Sequence, residues 1–151
     1  MESQHIVNQL NDLIETSKDG EYGFTRCAEH AESEQVRALF TRRAQDCHAA
    51  AQELQNLVRQ YGGTPDESGS AGGALHRGWV AVLGTLVGGS DRRMLEEAER
   101  GEDSALARYR KVLRDDGLPP LLRSIIERQM DGVQRNHDQV KALRDVARAE
   151  A

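Results

Sequence analysis

Apolar residues recur at a three-and-four spacing along four stretches of the chain, the period of a helix that buries one face. In the first, over residues 3 to 30, Ile6, Leu10, Leu13, Ile14, Phe24 and Ala28 share a stripe. The second stripe runs Val36, Phe40, Cys47, Ala51, Leu54, Val58 and Tyr61. It follows Ser33, a good helix cap, and precedes Gly62-Gly63, where glycine can take the left-handed position after a helix. The third begins near Asp91 and carries Leu95, Ala98, Leu106, Tyr109 and Leu113, stopping before Gly117. The fourth opens at Pro119-Pro120, where a proline forfeits no helical hydrogen bond. It carries Leu122, Ile125, Ile126, Val133, Val140, Leu143 and Val146.

The connections set the topology. The first and second helices are joined by very few residues, as are the third and fourth, so both pairs are antiparallel hairpins. The second and third are joined by the long stretch from Gly62 to Ser90. That stretch begins TPDESGSAGG and continues ALHRGWVAVLGTLVGG, apolar enough to predict a helical crossover at residues 71–88. Two hairpins joined by one long crossover are the ferritin-like form of the four-helix bundle. The expectation is therefore all-α: one ferritin-like four-helix-bundle domain over 1–151, with the crossover at 63–90.

Composition agrees and narrows the functions. Only three prolines in 151 residues, 4% aromatic and 30% charged residues favour helices over a β-sandwich. A net charge of −5 argues against a general affinity for nucleic-acid backbones. No apolar run reaches the ~20 residues of a membrane span. MESQHIVNQLNDLIE has no signal-peptide pattern, so Cys27 and Cys47 are expected as reduced thiols of a cytoplasmic protein. Register across the first hairpin sets the two sulfurs roughly 15 Å apart, too far for a disulfide. Cys47 is expected in the core and Cys27 partly buried.

Polar residues on the apolar stripes carry the candidate chemistry. Glu21 falls in line with Leu10, Ile14, Ser17 and Phe24, and Glu102 with Leu95, Ala98, Leu106 and Tyr109. Inward carboxylates on the first and third helices are half of a ferritin-like dinuclear site; Glu-x-x-His on the second and fourth supplies the rest. Here those motifs are Gln45-x-x-His48 and Gln134-x-x-His137, with amides for carboxylates. Gln45 and His48 lie on a polar face and are expected in solvent. His137 is flanked by Val133 and Val140, and Gln129 and Asn136 also lie on the inner stripe. A single Fe, Mn or Zn ion held by Glu21, Glu102, His137 and Gln129 is one reading. The other is a structural polar core. Arg43 lies on the inner stripe level with Glu21, so the two are expected to pair, since a buried carboxylate must be neutralised. A fixed cation there would also repel a metal, so no di-iron centre is expected. In the crossover, Trp79 is expected to anchor the segment on the bundle, with His76 and Arg77 tying it down.

Five strings in order resemble a known family: LNDLIETSKDGEYGF, ELQNLVRQYGGTP, GSAGGALHRGW, LEEAERGEDSALARYRKVL and NHDQVKALRD. They resemble the short bacterial proteins known as a domain of unknown function with a ferritin-like four-helix bundle. The resemblance implies a single-domain cytosolic bacterial protein and brings no reaction with it. Glu21, Glu102 and His137 fall inside the shared strings, and His48 outside. Two functions follow as expectations. One is a non-enzymatic, self-associating bundle, linked to stress or envelope physiology, with a structural polar core. The alternative is a metal-binding ferritin-like protein for iron storage or oxidase-type chemistry.

Overall fold

The computed structural model describes residues 3–66 and 90–150. Among them are four helices and no strand: α1 (Ser3–His30), α2 (Glu34–Gln60), α3 (Asp91–Leu113) and α4 (Pro120–Ala149). The crossover helix expected at 71–88, with His76 and Trp79, lies outside the described residues.

Each boundary follows from local chemistry. Ser33 has extended backbone, and its side chain accepts from the Val36 N–H, capping α2. Ser90 does the same for α3 through the Arg93 N–H. Gly62 ends α2 with φ at +78°, the left-handed conformation that glycine enters without strain. Pro120 is the first residue of α4. The α1–α2 turn is also held from outside, because the Asp91 carboxylate accepts from the backbone N–H groups of Glu32 and Ser33, both at 2.9 Å.

The helices pack as two close hairpins, α1 on α2 and α3 on α4. The hairpins meet along α1–α3 and, much more loosely, along α2–α4. That is the two-hairpin arrangement expected from the connection lengths. Inside, the apolar residues form two clusters. One gathers Leu10, Ile14, Leu54, Leu106 and Ile126; the other gathers Phe24, Phe40, Cys47, Met94, Leu95 and Val140. Both thiols are buried, Cys27 as deeply as Cys47, which corrects its expected partial exposure. Burial pushes each thiol up to about 12, so both are protonated near neutrality.

Candidate functional site

Between the two apolar clusters lies a polar layer to which all four helices contribute. Arg43 on α2 and Glu102 on α3 form its buried ion pair, with side chains 8% and 3% exposed. Arg43 Nε donates to Glu102 Oε2 at 2.9 Å and Nη2 donates to Oε1 at 3.3 Å. This two-point fork holds a carboxylate in one orientation. From α4, Asn136 Nδ2 donates to Glu102 Oε2 at 2.6 Å. The Arg43 guanidinium carbon also sits 5.8 Å from the Phe24 ring centroid, within cation–π range. Burial alone would weaken the charge on Arg43, but neighbouring negative charge and the Glu102 bonds reverse that and hold it above its ordinary value. With Cys47 protonated, the carboxylate of Glu102 is the group responsible.

One helical layer away, the Tyr109 hydroxyl donates to Gln129 Oε1 at 2.8 Å. Ser17 on α1 hydrogen-bonds the same phenol; burial still raises Tyr109 to about 12, and this bond pulls the other way. Gln129 Nε2 passes the chain on to Glu53 Oε1 at 2.7 Å, and Arg128 holds the other oxygen of Glu53 at 2.5 Å. The layer is thus a relay of satisfied donors and acceptors that cross-links the bundle.

The sequence-predicted residues fall into three groups. Arg43, Glu102 and Gln129 are buried at the centre, as their stripes implied. Glu21 is not with them. Its Oε2 lies 3.0 Å from Nδ1 of His48, a residue 53% exposed on the outside of the first hairpin. The expected Glu21–Arg43 pair is therefore replaced by Arg43–Glu102 across the hairpins. The cause is Gly20. It is the residue that faces α2 at this level, so tightly that an added Cβ would stand 2.9 Å from Cys47 Sγ. Glu21, one residue and about 100° further round, is carried to the edge. His137 shows the same offset. Its neighbour Asn136 points at Glu102, while His137 Nε2 turns to Asp103 at 2.9 Å and Glu99 at 3.7 Å along the α3–α4 edge. Gln45 and His48 are exposed, as expected.

Asn136 was legible as an inner polar position; Glu53, Thr16 and Asp19 were not. Thr16 and Asp19 are buried in α1 beside glycines and serine, where hydropathy gives no signal.

A cavity of about 480 Å³ opens between α2 and α4 and reaches the Arg43–Glu102 pair. Small residues on both helices, Ala49, Ala50 and Gly132, leave the gap.

The comparisons with known proteins come to bear on this geometry. The family described as a domain of unknown function (DUF2383) matches residues 5–115. The chain belongs to that family. Its matched region spans α1, α2 and α3 and ends before α4, so the NHDQVKALRD string, Gln129, Asn136 and His137 lie beyond it. A comparison with curated proteins finds no match. Among solved structures, the chain is similar to a dodecameric thioferritin, the bacterioferritin-related protein from Bacteroides fragilis. The TM-score is 0.80 at 16% identity, over 99% of this chain and 90% of the other. At that identity the likeness establishes the ferritin-like fold of this family member.

Ferritin-like folds raise the question of a bridged iron pair, which takes carboxylates from all four helices and two histidines. The donor set here does not fit one. The α3 carboxylate is bonded to Arg43 and Asn136, the α1 carboxylate is turned outward, and α2 presents a guanidinium. Among the described residues, no three His, Cys, Asp or Glu side chains converge where they could hold a metal ion. No helix of those residues is long and apolar enough to cross a membrane.

Proposed function

We propose that this chain is a non-enzymatic ferritin-like bundle, a self-associating protein of stress physiology whose polar core is structural. The observation that carries the reading is the Arg43–Glu102 fork at the centre of the bundle. A guanidinium is charged at every physiological pH and cannot yield its place to a cation by losing a proton. It therefore serves as the counter-ion of Glu102 and joins α2 to α3. The dodecameric assembly named for the fold relative supports self-association, and the acidic net charge supports a partner set without nucleic acid. A cytoplasmic location fits two buried, protonated thiols. The test is elemental analysis of protein purified without chelator or metal-affinity tag, with oxygen uptake on adding ferrous iron. The reading expects no stoichiometric iron and no uptake; two irons per chain with oxygen consumption overturn it.

A second reading keeps Glu21, Glu102, His137 and Gln129 as ligands of a single Fe, Mn or Zn ion. The inward carboxylate of Glu102 and the thioferritin relative favour it. It requires Arg43 to release Glu102, and Glu21 and His137 to swing inward. One bound ion per chain, lost on Glu102→Ala, supports this reading against the first.

A further inference from the structure

We infer that the cavity between α2 and α4 is a binding site for a small zwitterion of the α-amino-acid type, entered through a gap in the ladder of contacts joining those helices.

The ladder has a regular register. Glu53 pairs with Arg128, and further along Arg42 Nη2 donates to Gln139 Oε1. Two turns from the Glu53–Arg128 rung, the same antiparallel register sets Asp46 level with Arg135. No hydrogen bond or ion pair joins those two, although they carry opposite charges and both line the cavity. The gap below this open rung is bounded by Ala49 and Ala50 on α2 and Gly132 on α4. The connection leaving α2 does not start on this side. Its first residues dock on α1, with the Asp66 N–H donating to Asn11 Oδ1 and the Asp66 carbonyl accepting from Gln55. Gln55 is two residues from Glu53, about 200° round the helix from the gap.

Gly132 supplies an independent argument. A glycine inside a helix weakens it relative to alanine, so it usually answers to a tight contact or a left-handed backbone. Gly20 answers to the Cys47 sulfur. Gly132 has neither reason among the described residues: its backbone is ordinary helix, and of those residues an added Cβ would meet only the tip of Arg135 at 3.7 Å. What the missing side chain does is keep the gap open.

Charge sets the class of ligand. Among the described residues, the lining carries Arg43, Arg128 and Arg135 against Asp46, Glu53 and Glu102, a neutral sum. A ligand of net charge would bring an unbalanced charge up to the buried Arg43–Glu102 pair at the floor of the cavity, which is unfavourable. A zwitterion keeps the balance and completes the open rung, its ammonium on Asp46 and its carboxylate on Arg135. Its side chain then passes Gly132 toward the apolar wall of Val133, Ala105 and Phe24. The proposal holds whether or not the bundle handles metal.

The test is a titration of the full chain, followed by amide NMR shifts at Ala49, Gly132 and Arg135. The probes are L-alanine, acetate, ethylammonium and propionamide at constant ionic strength. L-alanine is expected to give saturable shifts at these amides, with the other three about tenfold weaker or more. Gly132→Leu, a helix-favouring change that plugs the gap, is expected to abolish the response while circular dichroism stays native. Arg135→Gln, on the exposed rim, is expected to weaken L-alanine about tenfold. The inference is overturned if L-alanine gives no saturable shift or if Gly132→Leu binds like the parent. It is equally overturned if acetate, ethylammonium or propionamide binds as tightly as L-alanine.

Discussion

Glu21 and Glu102 occupy the same kind of sequence position, a carboxylate one residue after a glycine on an apolar helical stripe, and meet opposite fates. Glu102 is buried in the bundle with Arg43 and Asn136 around it. Glu21 stands at the edge of α1, partly exposed, against a histidine that is itself more than half exposed. The chemistry of the side chain is the same and the dielectric surroundings are not. A buried pair fails badly when one partner is removed, because the survivor is left charged without water; an exposed pair loses little, because solvent steps in.

Breaking the inner pair should therefore give the largest effect. Arg43→Met is expected to destabilise the fold by about 3–5 kcal/mol in urea unfolding, by stranding Glu102. The second replacement sharpens the comparison. Adding Glu102→Gln should recover much of the loss, whereas adding Glu21→Gln should recover none. Rescue by Glu21→Gln instead would mean that Glu21 is the true partner.

A neutral member of the same layer should give less. Tyr109→Phe removes a hydroxyl that bridges Ser17 and Gln129. It is expected to cost about 1–2 kcal/mol, read from the same unfolding curves. A loss near zero would detach the phenol from the relay.

A third carboxylate, Glu15, lies between the two extremes. Burial, a hydrogen bond to Asp66 and the charges of Asp66 and Asp12 raise it from 4.5 to about 7, with Arg108 pulling the other way. An acid held above its unfolded value gives stability that is complete below pH 4.5 and is lost as pH rises through about 7. Glu15 is only partly buried, so screening trims the effect to about 1 kcal/mol. Unfolding free energies at pH 5 and pH 8, compared between the parent and Glu15→Gln, isolate it. The parent should lose more on going to the higher pH, and an identical loss in both would exclude the shared proton. The smallest effect belongs to the outer pair: Glu21→Gln and His48→Gln should each change stability by less than about 1 kcal/mol. A larger loss would erase the contrast between inside and outside.

Much of this was legible from the residues. The two short connections and one long one specify the hairpins and their pairing, because a short connection leaves only an antiparallel neighbour available. Arg43, Glu102, Gln129 and Asn136 were readable as inward because each interrupts an apolar stripe at the right phase. What was not readable is the partner. Register across a hairpin says which residues are level, not which meet, and the Arg43 side chain reaches across to the other hairpin. Nor could hydropathy separate Glu21 from Gly20, or His137 from Asn136. Glycine carries no hydropathic signal, and two adjacent polar residues differ only by a rotation that packing decides.

The Arg43–Glu102 fork also has a kinetic side. Its two residues are separated by 59 positions along the chain and sit on different hairpins. Each hairpin can form from contacts local in sequence, while this bond waits until the two are docked. Interactions made after the rate-limiting barrier act on escape from the native state and leave the approach to it unchanged. The central ion pair is then a latch on lifetime: weakening it should steepen the loss of native molecules with time while refolding proceeds at its usual pace.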